Sequence, residues 1–301
     1  MFDRLPPTVL TPLLLPEFIE RKIEVWIKRE DLIDPEISGN KWRKLKHNLI
    51  EAKNQGRKTL LTFGGAYSNH IVATAAACNR FGFQAIGIIR GDELNSTSNP
   101  TLQKASAYGM ELIFVSRDQY KNRNDPTWLK FLEKRHAAFV IPEGGSNALA
   151  LKGVAELTEE ISINFDYIIC PVGTGGTLAG IIQGIEEGQT AYGISCLKGE
   201  SYLEDEVSSL AGNSSRWRIN HNYHFGGYAK FDHDLISFIN RFRAETSIPL
   251  DPIYTGKMMY GLIDLVKNNT FDSGSRIICV HTGGIQGIAG FNKKHDDLIE
   301  V

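Results

Sequence analysis

Clusters of glycine that directly follow short apolar runs are the strongest constraint in this sequence. They occur in FGGAYSNH, PEGGSN, PVGTGGTLAG and HTGG, and a helical pattern follows each of them. Short apolar runs that alternate with helical patterns predict βαβ units and parallel sheets. Ligands of such sheets bind beyond the carboxyl ends of the strands. The sequence therefore predicts an α/β fold with its site at the glycine-rich strand exits.

The apolar runs predict where the strands lie. We expect strands within KTLLTFGG, FQAIGIIRG, ELIFVS, AAFVIPEGG, FDYIICPVG, AYGISCLKG and RIICVHTGG. One helix has clear end signals, because Ser68 and Asn69 are N-cap candidates and Gly82 is a C-terminal stop. The stretch from 212 to 228 is less regular and predicts no defined element.

Composition narrows the class of protein. The 301 residues are 42% hydrophobic, enough for one large domain or two medium ones. Lys plus Arg is 33 and Asp plus Glu is 35, a balance that argues against binding nucleic acid or a membrane surface. No apolar run has the length of a membrane span, and prolines interrupt the N-terminus, so we expect neither a membrane anchor nor a signal peptide.

The cysteines and histidines give no sign of a disulfide framework or of a metal site. The four cysteines are widely spaced and form no C-x-x-C pair, which predicts small apolar core residues in a reducing compartment. The eight histidines form no spaced cluster with cysteines or carboxylates, so we expect no metal site. Together these features predict a cytoplasmic globular protein.

The glycine loop VGTGGTLAG has the sequence of a phosphate-binding turn. A strand enters it and a helix leaves it, so free N–H groups and a helix dipole face any bound anion. Thr174 and Thr177 add hydroxyl donors. It is not a Walker A loop, and the third glycine position of a dinucleotide fingerprint holds Leu178. The alternative interpretation is a tight turn that binds nothing.

The helix that starts in SGNKWRKLKHNL is unusually basic. Its apolar residues mark one face of the helix: Trp42, Leu45, Leu49 and Ala52. Lys41 lies at the edge of that face, so we expect it to point inward, and we expect Arg43, Lys44 and Lys46 to be solvated. A buried lysine has a lowered pKa and can act as a Schiff-base residue. The alternative is an ordinary lysine that reaches solvent.

Three further segments have a plain structural interpretation beside a functional one. Ser68 to His70 could be only a helix cap, Asp251 to Lys257 a cap with a buried tyrosine, and His281 to Gly284 a turn at a strand exit. No one of these motifs decides the function.

The ordered set SGNKWRKL, GGAYSNH, EGGSN, VGTGGT, LDPIYTGKMMYGL and HTGG closely resembles one family. It is similar to the pyridoxal-phosphate enzymes of the 1-aminocyclopropane-1-carboxylate (ACC) deaminase and D-cysteine desulfhydrase family, which have the tryptophan synthase β-like fold (fold type II). The resemblance covers roughly residues 10 to 290, in a chain somewhat shorter than expected for the family.

The resemblance implies how pyridoxal phosphate would be held. Lys41 matches the lysine that bears the cofactor, and Asn69 matches the residue at its phenolic oxygen. Thr282 matches a residue near the pyridine nitrogen. The phosphate loop would consist of Gly173, Thr174, Gly175, Gly176 and Thr177.

The resemblance also implies substrate contacts. Ser68 and Tyr254 match active-site residues beside the substrate, with Lys41 as the third catalytic residue, and His70 belongs to the same substrate-binding segment. Tyr67 departs from the family pattern, because we expect QSNH and this chain has YSNH. Tyr67 could stack near the cofactor, narrow the pocket or simply pack.

Thr255 is the most informative departure. ACC deaminases resemble YEG here, where a glutamate keeps the pyridine nitrogen protonated, whereas D-cysteine desulfhydrases resemble the YTG of this chain. A neutral hydroxyl makes the ring a weaker electron sink, which suits loss of a good leaving group such as thiolate. We count Thr255 among the cofactor-binding residues.

The resemblance therefore implies a two-domain enzyme with pyridoxal phosphate in the cleft between the domains. We expect a smaller α/β domain at 44–146, a larger domain from 1–43 and 147–301, and a homodimer. The expected reaction converts D-cysteine to pyruvate, sulfide and ammonia. ACC deamination and attack on another β-substituted amino acid, such as D-serine, remain alternatives. So does a cofactor-binding protein without efficient catalysis, and a nucleotide-binding module is the least favoured.

Overall fold

The computed structural model describes residues 7–199, 201–296 and 298–300. These residues form two β-sheets flanked by helices. The strands are β1 (Leu10–Leu13), β2 (Glu24–Lys28), β3 (Thr59–Gly64), β4 (Gln84–Arg90), β5 (Glu111–Val115), β6 (Ala138–Ile141), β7 (Tyr167–Val172), β8 (Thr190–Ser195), β9 (Trp217–Asn220) and β10 (Arg276–Val280).

The helices fill the connections between the strands. They are α1 (Pro16–Glu20), α2 (Asn40–Asn54), α3 (Asn69–Phe81), α4 (Pro100–Ala107), α5 (Arg117–Tyr120), α6 (Pro126–His136), α7 (Ala148–Glu159), α8 (Gly176–Gly184), α9 (Ser201–Ala211), α10 (His233–Thr246), α11 (Thr255–Lys267) and α12 (Ile288–Lys294).

The smaller sheet has the strand order β5-β4-β3-β6, and all its pairings are parallel. Every residue of β3 is buried, as expected for a central parallel strand covered by helices on both faces. Its strands all leave the sheet at the same edge, so the exits of β3, β4 and β6 lie together.

The larger sheet has the order β1-β2-β10-β7-β8-β9. Only β1 runs antiparallel, beside β2 at the edge, and the remaining pairings are parallel. An edge strand tolerates Pro12, whose nitrogen cannot donate to a neighbouring strand. The exits of β7 and β10, with the sequences GTGG and HTGG, lie at one edge of this sheet.

The structure confirms the α/β class and parallel strands over each of the seven predicted runs. Helix α3 begins at Asn69 with Ser68 as its N-cap and ends at the left-handed Gly82, as predicted. The sequence interpretation missed β1, β2 and β9, and β9 lies in the stretch that seemed irregular. The four cysteines are buried free thiols, in agreement with the sequence. The two-domain boundaries at 44 and 146 stay a prediction.

Within the described ranges, no helix is both long enough and apolar enough to cross a membrane.

Candidate active site

The strand exits of both sheets open onto one cavity of about 700 Å³. We call its buried end the floor, formed by Lys41, Lys44, the loop Gly173–Thr177 and Thr282. The outer end is the mouth, and it carries the charged residues Arg90, Glu93, Arg117, Arg123, Glu143 and Glu206. The volume suits a small cofactor with an amino-acid substrate.

The start of α2 is docked directly on the exit of β10. Gly39 has a φ of +64°, and a Cβ atom there would lie 2.0 Å from the carbonyl oxygen of Thr282. The Asn40 N–H donates to that same oxygen at 3.2 Å. Only glycine fits this approach, and the contact places Lys41 next to Thr282 in the floor.

Lys41 lines the cavity and makes no hydrogen bond with any residue of the described ranges. Burial lowers the pKa of its ammonium group to about 8. With this pKa, Lys41 is a free amine in roughly one molecule in ten at about pH 7, and this form suits a nucleophile or a general base.

Lys44 corrects one prediction, because we expected it to be solvated and its side chain is only 1% exposed. Its Nζ atom donates to the carbonyl oxygen of Gly144 at 3.1 Å and to Ser146 Oγ at 3.2 Å. Burial, followed by the charge of Lys41, lowers the pKa of Lys44 well below its usual value. The prediction failed because both partners come from a loop about 100 residues away.

Arg43 was also expected to be solvated, and that prediction is wrong as well, since Arg43 is 4% exposed. Its guanidinium donates to both oxygens of Glu30, at 2.9 and 3.0 Å, and to both oxygens of Glu160, at 2.6 and 2.8 Å. Lys28 donates to Glu160 at 2.7 Å. Lys46 keeps partial exposure and pairs with Glu156.

Gly176, the glycine-loop residue at the N-terminus of α8, lies against the side chains of Ser146 and Lys44. A Cβ atom on Gly176 would lie 2.4 Å from Ser146 Oγ and 3.0 Å from Lys44 Nζ, so glycine admits both groups. The Asn40 amide donates to Thr177 Oγ1 at 2.7 Å. Four loop residues border the cavity, namely Gly173, Thr174, Gly175 and Thr177, and Gly176 lies behind them.

The floor contains two lysines and two helix N-termini but no acidic side chain. Lys41 and Lys44 lie at the N-termini of α2 and α8, where the helix dipoles are positive. Among the residues that the structure describes, neither lysine has a carboxylate partner. Two amino groups with lowered pKa values beside two positive helix ends favour a bound anion such as a phosphate group, and that anion would in turn favour their protonated forms.

The N-terminus of α3 forms the wall beside the floor. Ser68, Asn69 and His70 all line the cavity, and Ser68 Oγ accepts a long hydrogen bond of 3.4 Å from the Ile71 N–H. His70 is buried, with Nε2 at 2.8 Å from Thr62 Oγ1. Burial, and then the charges of Lys41 and Lys44, lowers the pKa of His70 well below its usual value, so the imidazole is neutral.

Tyr254 lies across the glycine loop, since a Cβ atom on Gly173 would be 3.1 Å from its ring. Burial raises the pKa of its phenol well above the usual value, so Tyr254 keeps its proton. Asp251 caps α11 by accepting the N–H groups of Ile253, Tyr254 and Thr255. The capping interpretation of DPIYTGK is therefore correct, and a site residue lies in the same turn.

Thr255 is fully buried and does not border the cavity. Its hydroxyl donates to Asp251 Oδ1 at 2.7 Å and accepts from the Asp251 N–H at 2.9 Å. Thr282, in contrast, borders the cavity, and its hydroxyl has no hydrogen-bond partner within 7–199, 201–296 and 298–300. Of these two threonines, Thr282 is the one whose hydroxyl can contact a ligand in the cavity.

Tyr228 lines the cavity and was missed by the sequence interpretation. Its ring lies edge-on to Tyr254, with centroids 6.3 Å apart. Buried Lys257 holds the segment before it by donating to the carbonyl oxygens of His224 at 2.9 Å and Gly227 at 2.8 Å. The glycine pair in HFGGY is the signal that could have drawn attention to this segment.

Tyr67 lies at the edge of the cavity with 45% of its surface exposed. The ammonium group of Lys294 lies 5.9 Å from the centroid of its ring. The side chain therefore narrows the entrance on the α12 side.

The comparisons with known proteins agree with this geometry. The family model for pyridoxal-phosphate-dependent enzymes matches residues 6–283. The bifunctional D-cysteine desulfhydrase/1-aminocyclopropane-1-carboxylate deaminase of Arabidopsis thaliana, a mitochondrial protein, is 33% identical over 293 residues, which cover 88% of this chain and 73% of that protein.

Solved structures give the same result. The crystal structure of an ACC deaminase homologue superposes with a TM-score of 0.81 at 29% identity, covering 98% of this chain and 94% of the other. A hydrogen sulfide-producing enzyme of Fusobacterium nucleatum has a TM-score of 0.68 at 18% identity, with 95% and 98% coverage, and shows the shared fold.

The chain is thus a pyridoxal-phosphate-dependent enzyme of fold type II, and it belongs to the ACC deaminase and D-cysteine desulfhydrase family.

Proposed function

We propose that this enzyme catalyses β-elimination from a small amino acid, with D-cysteine as the first candidate substrate and pyruvate, sulfide and ammonia as products. The observation that carries the proposal is the pair of lysines in the floor beside the N-terminus of α8, with no acidic group among the floor residues and with a pKa of about 8 at Lys41. Both features suit a cofactor that carries a phosphate group and an aldehyde.

The floor residues fit pyridoxal phosphate. When bound, the cofactor supplies an electron sink for charge that develops at the substrate α-carbon. The N-terminus of α8, the Lys44 ammonium group and the hydroxyls of Ser146 and Thr174 would hold its phosphate. Asn69 would contact the phenolic oxygen, and Lys41 Nζ would hold the cofactor and, once released, accept the α-proton.

We assign separate roles to Ser68 and Tyr254. Ser68 lies at the N-terminus of α3, where free N–H groups favour an anion, so this end binds the substrate carboxylate. Tyr254 retains its phenolic proton, so its hydroxyl can donate a hydrogen bond to the sulfur atom as the thiolate leaves.

The surroundings of the pyridine nitrogen favour elimination over ring opening. The hydroxyl of Thr282 is available to contact that nitrogen, whereas the hydroxyl of Thr255 is already bonded to Asp251. The carboxylates that line the cavity are Glu93, Glu143 and Glu206, all in the mouth. A neutral partner makes the ring a weaker sink, which is sufficient for a thiolate leaving group.

ACC deamination is the second candidate, because the Arabidopsis relative carries both activities in its name. We further propose that the cofactor lies between two domains, at 44–146 and in the rest of the chain, since every strand of the smaller sheet falls within 59–141. A homodimer stays a prediction.

The test is keto-acid release from D-cysteine, L-cysteine, D-serine and ACC in parallel, with purified protein loaded with pyridoxal phosphate. We expect pyruvate and sulfide from D-cysteine and no product from ACC. Formation of 2-oxobutanoate from ACC at a comparable rate would contradict the argument from Thr255 and Thr282. No product from any of the four would contradict the elimination proposal.

A further inference from the structure

The mouth contains three arginines, and two of them are already paired. Arg117 donates to Glu93 at 2.5 Å, and Arg123 donates to Glu143 at 2.5 Å. Arg90 differs from both, because its side chain forms no ion pair and donates no hydrogen bond within the described part of the chain. It is therefore a solvent-exposed cation at the cavity that has no anionic partner.

The position of Arg90 is set by its surroundings. It is the last residue of β4, and its Nη2 atom lies 3.7 Å from the point where a Cβ atom of Gly65 would be. On its other side, the ring centroid of Tyr120 lies 5.9 Å from the guanidinium carbon. Tyr120 is buried and its hydroxyl donates to Glu143 at 2.8 Å. The guanidinium thus rests between a glycine turn and a fixed ring.

The glycine turn connects Arg90 with the substrate end of the site. Gly65 accepts a hydrogen bond of 3.1 Å from the Ser68 N–H, so the guanidinium lies on the turn that presents Ser68. The positive charge of Arg90 also acts on Tyr228, another residue that lines the cavity. Burial and the charge of Asp251 raise the pKa of Tyr228, and the positive charge of Arg90 acts in the opposite direction.

We propose that Arg90 binds an anionic group on the substrate side chain, so that the enzyme accepts, besides D-cysteine, β-substituted amino acids whose side chain carries a second acidic group. This inference rests on the proposed function. A guanidinium presents a planar set of donors that matches carboxylate, sulfonate and phosphate groups in a bidentate arrangement. Arg90 is free for this contact, whereas Arg117 and Arg123 would first have to leave their carboxylates.

Aspartate and alanine test the proposal, because aspartate differs from alanine by one distal carboxylate. The holoenzyme is titrated with both amino acids in both configurations, and binding is measured from the absorbance of the bound cofactor. We expect the wild type to bind aspartate at least tenfold more tightly than alanine of the same configuration. In Arg90→Met, we expect aspartate affinity to fall about 10-fold to 100-fold, with alanine affinity within twofold of wild type.

Arg117→Met is the matched control, since it removes the same charge from the same mouth but from a paired arginine. We expect it to change the aspartate-to-alanine ratio by less than threefold. An equal loss of aspartate affinity in both variants would mean a general field effect and would overturn the proposal. So would a wild type that does not distinguish the two ligands. If neither amino acid binds to a holoenzyme that releases pyruvate from D-cysteine, this inference fails and the proposed function stands. A holoenzyme that releases no pyruvate contradicts the proposed function itself.

Discussion

Two adjacent cations on helix α2, Arg43 and Lys44, are equally buried but have opposite surroundings. Arg43 lies between two carboxylates and forms part of a closed ion-pair network. Lys44 contacts only a carbonyl and a hydroxyl, next to a second lysine and a positive helix end. Burial of a basic side chain therefore does not by itself show whether the protein supplies the anion that balances it. Arg43 is balanced by two carboxylates, whereas the floor offers Lys44 no anion.

The largest effect on stability is expected at Arg43. In Arg43→Met, Glu30 remains fully buried, and among the described residues its carboxylate keeps only the hydrogen bond from the Thr8 hydroxyl, at 2.6 Å. Removing one partner of a buried pair typically destabilises by about 3–5 kcal/mol. We expect a loss of this size in the free energy of unfolding, measured with urea. Lys46→Met is the control, because its pair with Glu156 is partly exposed and is worth about 0–1 kcal/mol.

Lys257 extends the comparison to a buried cation outside the cavity. Lys257→Met leaves the carbonyl oxygens of His224 and Gly227 without their donor, and each loss costs about 1–3 kcal/mol. We expect lower stability together with a reduced kcat, because the segment that presents Tyr228 loses its support. The exposed Lys267→Met, on the same helix, should leave both quantities unchanged. A stability loss with an unaltered kcat would show that Tyr228 does not depend on Lys257.

The Lys44→Met variant tests whether Lys44, unlike Arg43, contributes to cofactor binding rather than to stability. We expect the affinity of the apoprotein for pyridoxal phosphate to fall about 10-fold to 100-fold, the size expected for one charge-assisted hydrogen bond. The affinity for pyridoxal, which lacks the phosphate, should not change. The stability of the apoprotein should fall much less than in Arg43→Met, because the removal of a buried amino group offsets the loss of its hydrogen bonds to Gly144 and Ser146. A stability loss as large as that of Arg43→Met would contradict the comparison.

Lys41 gives the smallest effect, and it depends on pH. Its pKa is about 8 in the folded protein and near 10.5 when unfolded, so the unfolded chain binds more protons between these values. The apoprotein should therefore gain stability as pH rises from about 8 to 10.5, on the order of 2 kcal/mol because Lys41 keeps some solvent contact. Lys41→Met should be more stable than wild type at pH 7, and the difference should vanish near pH 10.5. A stability difference between Lys41→Met and wild type that does not change with pH would contradict the lowered pKa of Lys41.

Local patterns in the sequence were sufficient for the framework of the fold. The apolar runs located seven strands, four of them followed by glycine clusters, and the end signals of α3 were correct at both termini. Strands β1, β2 and β9 were missed because their segments contain no continuous apolar run: β1 includes Thr11 and Pro12, β2 begins and ends with charged residues, and β9 includes Arg218 and Asn220. Their places in the sheet come from the pairing of β1 with β2, of β2 with β10 and of β9 with β8, which no local pattern encodes.

The site was predictable where its residues lie within a motif. Lys41, Ser68, Tyr254 and Thr282 all border the cavity. The helical periodicity placed Lys44 in solvent, because its burial depends on Gly144 and Ser146, about 100 residues further along the chain. Arg90, at the end of an ordinary strand, carries no motif and is visible only once the strands are assembled.

The identity of the lysine that holds the cofactor tests the account most directly. The holoenzyme is treated with borohydride, which fixes pyridoxal phosphate to its lysine, and the modified peptide is sequenced by mass spectrometry. We predict modification of Lys41, and no fixed cofactor in Lys41→Ala. Modification of Lys44 instead, or of any other lysine, would contradict the division of the floor into one reactive lysine and one phosphate-binding lysine.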